Sequence, residues 1–150
     1  MPPTLDLTIA LENSRLDQTY NTPALATLFL LDQQLQWIIA NGGLEFAAGR
    51  CDASAGMIYG WAAAHTHATP FVSHAASRSN VTATIDFDET VDAAAVAAAL
   101  RANGVVDVEP YRKLGRNQLR IALFPAVDPD DVNLLTRAID YIIERLGTPS

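Results

Sequence analysis

Four of the ten basic residues in this chain lie within nine consecutive positions, although the chain as a whole is acidic. They are Arg112, Lys113, Arg116 and Arg120, and no acidic residue lies between the first and the last of them. The rest of the 150-residue chain carries all 17 acidic residues, and the net charge is −7. Three of the four are arginines, whose planar fork suits a carboxylate or a phosphate. The segment therefore indicates a site for a small anion, with a solvated charged loop as the alternative.

Composition and charge exclude several other kinds of function. A net charge of −7 argues against nucleic acid or an anionic membrane as the partner. A single cysteine, Cys51, cannot form an internal disulfide, so we expect a reducing compartment, the cytoplasm. The N-terminus lacks the pattern of a signal peptide, and no apolar run is long enough to span a bilayer. The three histidines (His65, His67, His74) have no third or fourth ligand nearby in sequence, so no metal site is predicted.

Apolar residues at helical spacing predict four helices in the chain. The first would have Thr22 as N-cap and Pro23 at its first position, with Leu28, Leu31 and Leu35 on a core-facing side. The others are expected from about Leu44 to Ala64, after Asp92, and after Asp128. Cys51 falls on the apolar stripe of the second helix, which indicates a packing residue and not a nucleophile.

Three segments have the composition of β-strands. They are "VTATIDF" at 81–87, "VVDVEP" at 105–110 and "NQLRIALF" at 117–124. From residue 81 onward, the predicted order is strand, helix, strand, strand, helix. This order predicts an α+β fold in which helices cover one face of a small, mostly antiparallel sheet. The basic segment would connect the last two strands, with Arg120 on the strand that follows it.

Several long motifs resemble one enzyme family. "QTYNTPALATLFLLDQQLQWI", "NGGLEFAAGR", "VTATIDFD" and "LRANGVVDVEPYRKLGRNQLRIALFPAVDPDDV" are similar to the C-terminal part of phosphoserine aminotransferase, in particular its actinobacterial type. The resemblance extends from about Ile9 to Leu146. It implies a homodimeric, pyridoxal 5′-phosphate-dependent transferase of fold type I, which transfers an amino group between L-glutamate and 3-phosphohydroxypyruvate in serine biosynthesis. Residues 1–66 would then be the end of the large domain with connecting helices, and residues 67–150 the small C-terminal domain.

The resemblance also implies roles for four residues. Asn21 and Thr22 match a pair that contacts the cofactor phosphate of the neighbouring subunit. Arg120 matches the arginine that binds the substrate carboxylate. Arg112 matches one that contacts the substrate phosphate.

The phosphate assignment stays open between three side chains. Tyr111 stands where other branches of the family have a histidine, and the loop is longer here, so Lys113 or Arg116 could take the place of Arg112.

The resemblance implies that this chain has no catalytic residue of its own. The family's cofactor-binding lysine belongs to the large domain, and Lys113, the single lysine here, does not align with it. We therefore expect the chain alone to be inactive. Two alternatives are a free-standing module that binds phosphoserine or a related anion, and a folded fragment without function.

Overall fold

The computed structural model describes residues 2–111 and 113–146, which form five α-helices and three β-strands. In chain order these are α1 (Leu7–Ser14), α2 (Leu25–Ala40), α3 (Gly43–Ala64), β1 (Ala68–Pro70), β2 (Thr82–Phe87), α4 (Ala93–Ala102), β3 (Gln118–Ala122) and α5 (Pro129–Leu146). The chain divides into two compact units, Met1–Gly43 and Leu44–Ser150. The domain boundary predicted after residue 66 stays a prediction.

The first unit consists mainly of α1 and α2. Asp6 caps α1 by accepting a hydrogen bond from the Thr8 N–H at 2.9 Å. Helix α2 is rich in apolar residues, and Leu28, Leu31 and Leu35, expected in a core, are about half exposed, at 51%, 52% and 48%. That expectation was wrong for this unit by itself, because its two helices supply too little surface to bury these leucines.

The start of α2 differs from the sequence prediction. The N-cap is Ala24, not Thr22, and its methyl group cannot accept a capping hydrogen bond. The Leu25 N–H instead bonds the Pro23 carbonyl at 2.9 Å, with Ala24 at φ −75° and ψ 76°. This is an inverse γ-turn, so the residues before Ala24 are excluded from the helix.

The second unit contains the hydrophobic core. Helices α3, α4 and α5 contribute to it together with one face of the sheet. The alternation predicted for β2 is confirmed, because Ala83 and Ile85 are fully buried, whereas Thr82 and Thr84, which alternate with them, are only partly buried. The same holds for β3, where Leu119 and Ile121 are buried and Arg120 is exposed. The predicted fold class is therefore confirmed.

The sheet is antiparallel with strand order β1–β2–β3. Strand β1 was missed, because three residues that include a proline carry no alternation signal. Its position at the sheet edge is one that a proline tolerates.

The strand predicted at 105–110 is not formed. Asp107 lies in the left-handed region at φ 63°, which interrupts an extended run, and the following Pro110 cannot donate a ladder hydrogen bond. A main-chain hydrogen bond from the Arg120 N–H to the Val108 carbonyl, 2.9 Å long, links this stretch to β3. The basic segment therefore follows an irregular stretch that lies beside β3, instead of connecting two strands.

The predicted starts of α4 and α5, after Asp92 and after Asp128, are confirmed. The Asp92 carboxylate accepts hydrogen bonds from the N–H groups of Ala94 and Ala95 at 2.9 and 3.1 Å. Gly104 follows the last turn of α4 with φ 88°, a conformation that glycine adopts without strain. Asp128 precedes α5 and accepts from the Asp130 N–H at 3.0 Å.

Across residues 2–111 and 113–146, none of the helices combines the length and apolar content needed to cross a bilayer.

We predict that the cap at Asp92 contributes measurably to the stability of the second unit. Asp92→Ala removes both side-chain acceptors and should lower the free energy of unfolding by about 1 kcal/mol. Asp92→Asn keeps an accepting oxygen and should change it by less than half as much. Urea denaturation of the two variants checks this, and equal losses would mean that the carboxylate acts through its charge instead of as a cap.

Candidate anion-binding site

The face of the sheet opposite the helices is polar and carries Arg120. Because β2 and β3 alternate between core and exterior, Thr84 and Asp86 of β2 lie on this outer face with Gln118 and Arg120 of β3. The register pairs Arg120 with Thr84 and Gln118 with Asp86. Strand pairing thus places the Arg120 side chain on an exposed surface beside a threonine.

The Arg120 guanidinium is open to solvent. No hydrogen bond or ion pair to its side chain occurs among the residues that the structure describes, although its backbone N–H is bonded to Val108. An exposed arginine on a strand keeps all five N–H donors available for a planar anion. Its position therefore suits the binding of a carboxylate.

Arg116, unlike Arg120, has side-chain partners within the described part of the chain. It forms a two-point ion pair with the Asp86 carboxylate, with the Nε–Oδ1 distance at 3.2 Å. Its guanidinium also lies over the Phe71 ring, 5.0 Å from the centroid. Gln118 donates a further hydrogen bond to Asp86 at 2.7 Å. The pairing with Asp86 raises the pKa of Arg116, so this arginine is bound within the chain.

The two remaining basic residues of the segment are Lys113 and Arg112. Lys113 is exposed, and no partner of its ammonium group occurs within the described ranges. Arg112, predicted to contact a substrate phosphate, lies outside the described residues.

A depression of about 610 Å³ lies next to Arg120. Its lining comprises Asp107, Glu109, Pro110, Tyr111 and Arg120. Both acids are bound by Arg101 of α4, which donates to Glu109 Oε1 at 2.6 Å and to Asp107 Oδ1 at 3.1 Å. The hydrogen bond from Arg101 lowers the pKa of Glu109. The depression is thus lined by one arginine and by two carboxylates that are paired with Arg101.

Asn117 lies within the basic segment and fixes the start of β3, a role that the sequence did not reveal. Its amide nitrogen donates to the carbonyls of Asp88 and Val91 at 2.9 and 2.7 Å, and its Oδ1 accepts from the Ala93 N–H at 3.0 Å. One side chain therefore ties the start of β3 to the turn before α4. No local pattern marks such a residue, because its partners are about 25 positions away in the sequence.

Asn21 and Thr22 lie in the first unit, in the connection between α1 and α2. Both are exposed and line an open depression of about 490 Å³. The Thr19 hydroxyl donates to the Asn21 carbonyl at 2.6 Å, which bends the chain before Pro23. Because α2 begins only at Leu25, these residues precede the helix and do not form its first turn. Their amide and hydroxyl groups are donors that suit a phosphate.

The histidines and the cysteine have structural partners. His67 Nδ1 lies 2.8 Å from Asp88 Oδ2, and His65 Nε2 lies 3.5 Å from Asp140 Oδ1. Among residues 2–111 and 113–146, no three His, Cys, Asp or Glu side chains are grouped as for a metal ion. Cys51 is buried as predicted, and burial raises the pKa of its thiol, which disfavours the nucleophilic thiolate.

The three-dimensional fold matches solved structures of one class of enzyme. A phosphoserine aminotransferase of Bacillus circulans subsp. alkalophilus superimposes with a TM-score of 0.84, at 23% identity, over 98% of this chain and 39% of that one. A structure that describes radiation damage of the Schiff base in phosphoserine aminotransferase gives 0.81 at 23% identity, over 97% and 39% of the two chains. The chain therefore shares the fold of part of these phosphoserine aminotransferase structures.

The amino-acid sequence is similar to that of the same kind of enzyme. No protein-family model matches the chain. A phosphoserine aminotransferase of Rhodococcus jostii is 58% identical over 146 residues, which cover 97% of this chain and 39% of the relative. The chain therefore matches the C-terminal portion of phosphoserine aminotransferases. It spans about two-fifths of the length of these relatives.

We predict an unusually acidic Asp88 at the end of β2. Hydrogen bonds from the Thr90 hydroxyl and then from His67 lower its pKa to about 2, from an ordinary value of 3.8. Because the folded-state pKa is depressed, the stabilisation is fully present above about pH 4 and is lost as the pH falls towards 2. Carboxyl ¹³C NMR should show this titration, and Thr90→Val should move its midpoint upward. Thr69→Val, at an exposed threonine of β1, should leave it unchanged; equal shifts in both variants would contradict the assignment.

Proposed function

We propose that this chain forms the substrate-anion half of a phosphoserine aminotransferase. The reaction is transfer of an amino group between L-glutamate and 3-phosphohydroxypyruvate, with pyridoxal 5′-phosphate as cofactor, in serine biosynthesis. The relatives support the family, and the observation that carries the proposal is the unpaired Arg120 guanidinium on the outer face of the sheet. In an acidic chain, such an arginine attracts a small anion to one place.

Arg120 binds the α-carboxylate of the substrate. Its N–H groups form a fork that donates hydrogen bonds to two carboxylate oxygens at once, and this geometry orients the amino acid as well as holding it. Strand β3 fixes the backbone of the arginine through pairing with β2, so the fork is presented from a rigid element. The adjacent depression leaves room for the rest of the substrate.

The phosphate of the substrate is bound by a basic residue of this segment other than Arg116. Arg116 is bound to Asp86 and stacked on Phe71, so its use would require breaking that ion pair. This makes Arg116 the weakest of the three candidates. We assign the phosphate to Arg112, with Lys113 as the second ligand.

Asn21 and Thr22 donate hydrogen bonds to the cofactor phosphate of a second subunit in a homodimer. Their exposed amide and hydroxyl groups fit such a phosphate by donor type. The cofactor, when bound, supplies the electron sink that allows amino-group transfer. The residues of this chain contribute binding and orientation, because its single lysine, Lys113, lies in an exposed loop without a walled pocket.

A free-standing anion-binding module is the second candidate. The second unit has its own hydrophobic core, and Arg120 is accessible on it. Binding of phosphoserine without any turnover, by a chain that acts alone in the cell, would favour this candidate.

We predict that the chain binds O-phospho-L-serine through Arg120. Arg120→Met should weaken binding by about tenfold, roughly 1.4 kcal/mol, because it removes a charge-assisted contact. NMR titration of the 150-residue chain measures this, with the amide signals of β3 as reporters. Arg137→Met, at an exposed arginine of α5, is the matched control, since it removes the same charge elsewhere. Equal weakening in both variants would mean general charge attraction and would contradict a site at Arg120.

We also predict that the isolated chain does not catalyse transamination. With phosphoserine, 2-oxoglutarate and added pyridoxal phosphate, no glutamate should form above the rate without protein. The reason is that catalysis needs a lysine placed in a cofactor pocket, which this chain does not offer. Turnover that disappears in Lys113→Ala would contradict the assignment of catalysis to other residues.

A further inference from the structure

Within residues 2–111 and 113–146, the Arg120 side chain has no partner, although two carboxylates line the depression beside it. Asp107 and Glu109 line the same depression as Arg120. They flank Val108, whose carbonyl accepts the Arg120 N–H at 2.9 Å, so both acids are anchored beside the arginine by the backbone. An exposed guanidinium next to two carboxylates ordinarily pairs with one of them. Something must hold these acids elsewhere.

Arg101 is the residue that binds both of them. It lies in the last turn of α4, and its Nε and Nη2 reach Glu109 at 2.6 Å and Asp107 at 3.1 Å. The left-handed backbone of Asp107, at φ 63°, belongs to the bend that connects α4 to this contact. A single guanidinium thus engages two acids that are two residues apart.

The third acid near Arg120 is held in the same way. Asp86, on the neighbouring strand, is paired with Arg116 and also accepts a hydrogen bond from Gln118. Within the described part of the chain, each of the three carboxylates around Arg120 therefore has another cationic partner. Of Arg101, Arg116 and Arg120, only Arg120 has no acidic partner among the described residues.

We propose that Arg101 is a positioning residue for substrate binding: it holds Asp107 and Glu109 and so prevents them from pairing with Arg120. The inference rests on the proposed role of Arg120 in binding the substrate carboxylate. It adds a residue on α4 that touches neither substrate nor cofactor. Loss of Arg101 would release two carboxylates that compete with the substrate for the same guanidinium.

The expected effect is moderate, because these ion pairs are exposed. The side chains of Arg101, Asp107 and Glu109 are 48%, 86% and 41% exposed, and exposed pairs contribute little individually. Competition from one exposed carboxylate should therefore weaken substrate binding by about twofold to fivefold. A change of that size is measurable in a titration.

The test is a double-mutant cycle on the 150-residue chain, with O-phospho-L-serine as the probe. Arg101→Met should weaken binding about twofold to fivefold. Adding Asp107→Asn and Glu109→Gln to that variant should restore affinity. Asparagine tolerates the left-handed backbone at position 107, so the replacement removes charge without strain.

The same two neutral substitutions in the presence of Arg101 serve as the control. Removing the acids raises the local charge equally in both backgrounds, so the difference between backgrounds isolates the direct pairing with Arg120. We expect a clearly larger gain in the Arg101→Met background. Equal gains, or no rescue of Arg101→Met, would overturn the proposal and leave Arg101 as a purely structural link.

A second readout does not depend on substrate binding. Glu109 has a lowered pKa because of Arg101, and carboxyl ¹³C NMR can follow it. In Arg101→Met the Glu109 pKa should stay below its ordinary range, since Arg120 takes over the carboxylate, and adding Arg120→Met should then raise it. If Arg120→Met has no effect in that background, the proposal fails. A chain that binds no phosphoserine but shows this coupling would refute the proposed function alone.

Discussion

The register between β2 and β3 is the constraint on which the candidate site depends. It pairs Ile85 with Leu119 on the core face and Thr84 with Arg120 on the outer face. Because side chains alternate with a period of two, a slip by one residue would turn Arg120 into the core and Leu119 into water. The burial of isoleucine and leucine between the sheet and its helices thus determines where the arginine points. Hydrophobic packing and the position of a charged ligand site are here two consequences of one alignment.

Within that frame, charge pairing decides which basic residues remain available. The segment concentrates positive charge, but Arg116 is bound to Asp86, and the acids nearest to Arg120 are bound by Arg101. Without these ion pairs, the 17 acidic residues of the chain would supply carboxylates that compete for every exposed arginine. Among the described residues, the arrangement is therefore better described as two open cations, Arg120 and Lys113, beside satisfied ion pairs than as a basic patch. That distinction favours a small ligand with a defined binding geometry over a large anionic surface.

The two units contribute differently to the proposed enzyme. The second has a continuous core and positions Arg120 on a paired strand, while Asn117 fixes the start of β3 to the turn before α4. The first consists mainly of α1 and of α2, which is rich in apolar residues and has no buried side chain. Since the chain spans about two-fifths of its relatives' length, such a helix is consistent with a portion of a larger protein. Its donors, Asn21 and Thr22, lie in the connection before that helix.

The sequence by itself determined what short-range patterns encode. Alternation predicted β2 and β3, capping residues predicted the starts of α4 and α5, and the motifs indicated the family. It failed where a local conformation broke a regular pattern, as with the γ-turn at Ala24 and the left-handed Asp107. Only the tertiary structure decided which of Arg116 and Arg120 is free, and that Arg101 binds the neighbouring acids. Those outcomes depend on partners brought together from distant positions, and a linear pattern of charges does not specify which carboxylate each arginine meets.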